Sequence, residues 1–282
     1  MESTMLDAQH GAFASFEQKW LAANPEQATV ALFFAPDARL RAAAFGCLIH
    51  ELEQAAFGLG EAHVAEVKIQ WWRQELLAAA SGSPRHPVSA VLFADPRTAK
   101  VDATTWTALA DGALEMRHVG AGSDLGSLLS SHAVLYTPVA QAEAALFDVS
   151  ATTIPATAKL WTISHLLLAL RHLADAPERL PVPLDLLARH ELTRAALAEV
   201  TPKRGELVRE VLGGLSAVLQ RALVEMPCGL LARRVRARLD LALMQNAMRA
   251  GDPLRAVMTP PGAARWKALW WSWREARAAA RD

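Results

Sequence analysis

Cysteine is scarce: the 282 residues contain two, Cys47 and Cys228. They lie far apart and form no Cys-x-x-Cys pair, so they indicate neither a zinc site nor a disulfide framework, and a reducing compartment suits them. Tyrosine is scarcer still, with Tyr136 alone, and runs of β-branched residues are few, which leaves little from which to build strands. Net charge is absent, because lysine plus arginine and aspartate plus glutamate both number 29. No global field draws the chain to nucleic acid or to an anionic membrane, and any charge-driven binding must be local. Long hydrophobic runs are missing too. The longest, roughly 160–170, contains Ser164 and His165 and falls short of the roughly 20 residues a membrane span needs. The first ten residues, acidic and polar before Phe13 and Phe16, lack the basic start and apolar run of a secretory signal, so a cytoplasmic location is expected. Glycine-rich phosphate loops, Ser-His-Asp spacing and basic tracts interleaved with aromatics are likewise absent, and no nucleic-acid partner is expected.

What is present favours helix. Alanine, leucine and arginine are abundant, hydrophobic residues make up 52%, and a core of that size fits one domain over 1–282. Fifteen prolines, Pro36, Pro87, Pro138, Pro202 and Pro253 among them, punctuate the chain into helix-length segments. Val208, Val211, Leu212, Leu215, Val218, Leu219 and Leu223 fall on one face of a helix that Thr201 and Pro202 would cap and open. Gly213 and Gly214 inside it suggest a kink or a close helix crossing.

Two segments carry a family resemblance. The first has Pro36, Arg39 and Arg41 before an alanine-rich helix, then Trp71, Trp72, Arg73, Gln74, Glu75 and Leu76, a spacer of small residues, and Pro84, Arg85, His86 and Pro87. The second runs from Leu170 and Arg171 through a loop to Leu180, Pro183, Leu184 and Asp185. Together they resemble squalene and phytoene synthases. That resemblance implies an all-α, single-domain orthogonal helical bundle of the isoprenoid synthase type around a central cavity, with a Trp/Arg-rich C-terminal helix at about 262–281.

In that family two aspartate-rich motifs hold magnesium, which neutralises the diphosphate of the substrate. Magnesium takes hard oxygen ligands, commonly one or two carboxylates with phosphate oxygens and water. Over the first motif this chain has Glu53, Gln54 and Phe57. Over the second it has Leu168, His172 and Ala176, with Asp175 offset. Only Glu53 and Asp175 are acids, so the facing carboxylate clusters are lost and no catalytic residue is assigned. Glu53, Asp175 and His172 are the remaining metal candidates, and magnesium is expected only if the chain is an active head-to-head prenyl transferase with atypical ligands; otherwise no cofactor is expected. Acids from elsewhere, such as Asp111 or Glu115, would revive the enzyme reading. The family's tyrosine-bearing helix corresponds to the region of Ser131, with Tyr136 near it.

Glu51, Gln54, Val67 to Trp72 and the segment Trp270 to Arg274 are similar to the noncatalytic branch represented by the phytoene-synthase-like mitochondrial complex I assembly factor. That branch implies a pseudoenzyme with an isoprenoid or lipid ligand, or a protein partner at a respiratory complex. Arg39, Arg41 and Arg171, with Lys68, are ligand-binding candidates because guanidinium groups bind phosphate oxygens bidentately and lysine adds a positive charge, with a solvated surface as the plain alternative; Ser131 and Tyr136 join them through the resemblance to the family's cavity-lining helix. His165 and His172 share a face if one helix runs through both, and would either join Asp175 at a metal or stay as hydrogen-bonded core residues. Arg233, Arg234, Arg236 and Arg238 read as a solvated helix face, with contact to the acidic surface of a partner as the alternative. Trp266, Trp270 and Trp273 at i, i+4 and i+7 among arginines and lysine fit either a peripheral membrane contact or a helix capping the domain.

Overall fold

The computed structural model describes residues 2–120, 122–172, 179–226, 229–258 and 265–280. Among them there is no strand, as the scarcity of β-formers predicts. The described residues gather into two compact units. The first comprises the chain up to His118 and Val134–Ile154. It contains α1 (Glu2–Ala23), α2 (Glu26–Val30), α3 (Pro36–Glu53), α4 (Ala62–Ala80), α5 (Pro87–Phe93), α6 (Ala103–Met116) and the later turns of α7 (Leu125–Leu146). The second holds the early turns of α7 together with α8 (Ile154–His172), α9 (Leu184–Arg189), α10 (Pro202–Glu225), α11 (Leu231–Arg249), α12 (Pro253–Val257) and α13 (Arg265–Ala279).

Helix starts follow the local chemistry. Pro36, Pro87, Pro202 and Pro253 open α3, α5, α10 and α12, where a missing N–H costs nothing. Side chains accept the orphan amides: Asp102 from Thr104, Thr201 from Arg204 and Asp252 from Arg255. Pro138 departs from the expected punctuation, because α7 runs straight through it. Its ring removes the bond that the Val134 carbonyl would accept. That carbonyl faces Gly112 of α6 so closely that a Cβ there would lie 2.6 Å from it. The helices therefore meet backbone to backbone, where a Cα–H can approach the freed oxygen.

In the first unit, α3 packs on α1 and α5, and α4 on α6. Trp72, Trp106, Leu48, Leu52 and Leu109 are fully buried between them; a buried side chain of this kind contributes about 1.5–3 kcal/mol. Glu75, fully buried, organises the turn before α5. It accepts from the backbone amides of Arg85 at 2.7 Å and His86 at 2.8 Å, from the Ser89 hydroxyl, and from the Arg85 guanidinium at 3.3 Å. The Trp71–Glu75 and Pro84–Pro87 segments thus make one structural clamp, with the His86 ring edge-on to Trp71, Trp72 and Phe16.

In the second unit, α10 is continuous through Gly213 and Gly214. A Cβ on Gly214 would lie 2.6 Å from Leu125 Cδ2, so the missing side chain makes room for that leucine. α11 packs on α10, α12 and α13. Its arginine run is not a solvated face: Arg233, Arg234 and Arg236 are all buried. Arg236 Nε donates to Asp240 at 2.9 Å, Arg234 Nε to Glu275 at 2.5 Å, and Arg238 Nε to Glu275 at 3.1 Å. The Arg233 guanidinium carbon stands over Trp161, 3.2 Å from its ring centre. Buried guanidinium groups persist only when paired in this way.

Candidate functional site

Glu53 is the last residue of α3, and its carboxylate accepts a hydrogen bond of 2.7 Å from the hydroxyl of Tyr136 on α7. Tyr136 is fully buried and Glu53 half-buried. After Glu53 the chain widens into a π-helical turn, Gln54–Gly58, a local geometry that often marks functional sites. Arg117 of the first unit closes that turn, donating from Nη1 to the carbonyls of Ala56 and Leu59, both at 3.1 Å. A cation on the end carbonyls of a helix also suits the dipole. Gln54 and Phe57 are exposed. Glu51, one residue past His50, pairs with Lys68 at 2.9 Å. Burial, together with Lys68 and Lys19, holds His50 below its ordinary range against the pull of Glu51.

Of the sequence candidates, then, Glu53 and Tyr136 are brought together. Their set does not fit magnesium from this side: one carboxylate bound by a tyrosine, beside an amide and a phenyl ring, supplies too few hard oxygens. Asp111 pairs with Arg73 at 2.8 Å on an exposed surface, and Glu115 is exposed. Arg39 donates from Nε to the Ala31 carbonyl at 2.8 Å. Arg41, 5% exposed, pairs with Asp95 at 2.5 Å and lies over Phe147.

The second set of candidates falls on α8 and the early turns of α7. Leu168 and Arg171 are half-buried. Asp175 and Ala176 lie outside the described residues, as does the side chain of His172. The Ser131 hydroxyl donates to the Leu128 carbonyl at 2.9 Å. The ring of His165 lies beside that of His132, with ring centres 5.7 Å apart. His132 donates from Nδ1 to the Leu128 carbonyl at 2.8 Å. Burial, then the neighbouring His132, pushes the His165 imidazole down to about 3, and burial lowers His132 despite its backbone bond. Sequence reasoning missed His132, because nothing in its spacing links it to His165. Nearby on α8, Ser164 donates to Asp240 at 2.6 Å, completing a buried Ser164–Asp240–Arg236 set. Among the described residues no three His, Cys, Asp or Glu side chains converge to hold one metal ion.

A cleft of about 580 Å³ opens elsewhere in the second unit, between α10 and α11. Leu223, Val224, Met226 and Leu241 give it apolar walls, and Arg234 and Arg238 its charge. Both arginines are already engaged by Glu275.

No family model matches the sequence, and no curated protein does. Solved structures match over nearly the whole chain. A dehydrosqualene synthase crystallised in complex with a ligand is similar with a TM-score of 0.75, at 11% identity, covering 98% of this chain and 98% of that one. Squalene synthase HpnC from Alicyclobacillus acidocaldarius is similar with a TM-score of 0.68, at 13% identity, covering 86% of this chain and 95% of that one. The fold is therefore that of the isoprenoid synthases, as the two anchor segments imply.

Proposed function

We propose that this chain is a noncatalytic, squalene/phytoene synthase-like protein that binds an isoprenoid or another lipid and works as an assembly-type factor. The observation that carries the reading is the state of Glu53. The one acid left at the first motif is held by the Tyr136 hydroxyl, and its neighbours Gln54, Ala55, Ala56 and Phe57 offer no second carboxylate. Ionisation of an allylic diphosphate needs the leaving group's charge neutralised as it forms. A single committed glutamate does not build the cation clamp that would do this. A protein partner at a respiratory complex belongs to the same proposal.

The test is incubation of purified protein with farnesyl or geranylgeranyl diphosphate and Mg²⁺ or Mn²⁺. No pyrophosphate release above a protein-free control is expected. Release that disappears in Glu53→Ala or Asp175→Ala would overturn the noncatalytic reading in favour of an active prenyl transferase. Native mass spectrometry of protein purified from cells is expected to show a co-purifying lipid or a defined partner, and a bare chain with neither counts against the binding role.

A further inference from the structure

We infer that α13 docks the protein on an anionic phospholipid surface, laying Trp266, Leu269, Trp270 and Trp273 into the headgroup boundary. The inference does not depend on what the α3 site binds.

α13 has two opposite faces. One packs against α11: Ala268 and Ser272 are fully buried, and Glu275, 2% exposed, is clamped by Arg234 and Arg238. The helix is thus fixed in place, as a domain cap would be. The other face is bare. Trp266 is 66% exposed, Leu269 48%, Trp270 51% and Trp273 42%, spaced at i, i+3, i+4 and i+7. Single exposed hydrophobic residues need no explanation, but three tryptophans and a leucine sharing one solvent face form a patch of the kind that marks an interaction surface.

Charge selects the occupant. α13 carries Arg265, Lys267, Arg274 and Arg277, and its only acid is Glu275. Because Glu275 is spent in the buried clamp, every charge the helix shows to solvent is positive. The cations stand beside the rings: Lys267 over Trp266 at 5.7 Å, Arg274 over Trp271 at 5.2 Å and Arg277 over Trp273 at 4.9 Å. Indole rings at the boundary with cations reaching lipid phosphates are the chemistry of an interfacial helix. Fifteen residues rise only about 22 Å, less than a hydrocarbon core of about 30 Å. No described helix is long and apolar enough to cross a membrane. The helix therefore lies in the surface plane. A second copy of the chain is disfavoured as occupant, because a twofold contact would press this cationic face against itself.

The experiment is co-sedimentation of the full chain with phosphatidylcholine vesicles, with and without phosphatidylglycerol. Binding to the anionic vesicles alone is expected, with release at high salt. Trp270→Ala with Trp273→Ala, and separately Arg274→Glu with Arg277→Glu, are each expected to weaken partitioning at least about tenfold. The four replaced side chains are exposed, so circular dichroism of both variants should match the parent. Absence of binding to the anionic vesicles, equal binding to both vesicle types, or binding undiminished in both variants would overturn the inference. So would a dimer, seen by light scattering, that the tryptophan variant abolishes. The vesicles contain no isoprenoid, so failure here leaves the proposed lipid-binding role standing, and failure of that role leaves this one standing.

Discussion

Tyr136 donates its hydroxyl proton to Glu53, joining α7 to the last residue of α3 across 83 positions of sequence. The bond unites the chain's single tyrosine with the single acid left among the first-motif positions. It also ties the start of the π-helical turn to a fully buried side chain, while Arg117 ties its end.

If this bond is structural, removing it costs stability and not much else. Tyr136→Phe leaves the Glu53 carboxylate short of a donor and is expected to lose about 1–2 kcal/mol in urea denaturation. Glu53→Gln keeps an oxygen that can accept from Tyr136 and is expected to lose less. Magnesium should leave the melting temperature of the parent unchanged. A rise with Mg²⁺ that Glu53→Gln removes would mean that the carboxylate serves a cation instead.

Glu75 is expected to set an acid limit on stability. Burial alone would raise its pKa, but bonds from Ser89, from the amides of His86 and Arg85 and from the Arg85 side chain outweigh this and lower it below 4.5. A carboxylate depressed in the folded state contributes stability that is complete above its unfolded value, near 4.5, and that is lost as pH falls toward the folded value. Glu75→Gln should be less stable at neutral pH by about 3 kcal/mol, since it exchanges an anion for an amide among buried donors. Its remaining stability should fall less than the parent's below pH 4.5. Parallel pH profiles for the two would exclude this role.

How legible these features are in the sequence depends on how local their physics is. Thr201 and Pro202 announce α10 because a cap needs only neighbouring residues. The anchor segments Trp71–Glu75 and Pro84–Pro87 are recognisable as a pattern, and the structure supplies their reason in the buried Glu75. The arginines of α11 read as solvated because the acid that pairs with two of them, Glu275, lies 41 residues beyond Arg234 and 37 beyond Arg238. Pro138 reads as a helix break because the rule concerns the helix alone, whereas Gly112 on another helix supplies the close contact for the freed carbonyl. The pairing of Glu53 with Tyr136 is invisible for the same reason: each residue is notable, but no local pattern links them.

His165 gives a second titration in a different window. Its folded value of about 3 lies far below the ordinary 6.5 because burial disfavours the cation. The unfolded chain takes up a proton that the folded chain refuses, so stability is complete above pH 6.5 and falls as pH drops toward 3. Within that window the group alone contributes up to about a tenfold fall in the folding constant per pH unit. His50, His86 and His132 are lowered too and add smaller slopes. His165→Phe should therefore flatten, without abolishing, the loss of stability between pH 6.5 and 4.5, the upper part of the window, where Glu75 is still ionised. An unchanged slope in denaturant titrations across that range would place the proton elsewhere.

Two helix-interior glycines should respond unequally to the same replacement. Alanine is favoured over glycine in a helix by about 1 kcal/mol, so a substitution without steric cost stabilises. At Gly214 the added Cβ meets the tip of one side chain, Leu125 Cδ2 at 2.6 Å, and a rotation of that leucine can clear it. Gly214→Ala is expected to lie within about 1 kcal/mol of the parent, the propensity gain offsetting the repacking. At Gly112 the obstacles are the Val134 carbonyl oxygen at 2.6 Å and the Leu135 Cα at 2.8 Å, and neither can rotate away. Relief requires α6 and α7 to separate, which loosens the buried Trp106, Leu109 and Tyr136. Gly112→Ala should therefore cost about 2–3 kcal/mol despite its better propensity. It should also weaken the Tyr136–Glu53 bond, so that combining it with Tyr136→Phe costs less than the sum of the two. Strict additivity in that double-mutant cycle would show that the backbone contact between α6 and α7 does not position Tyr136.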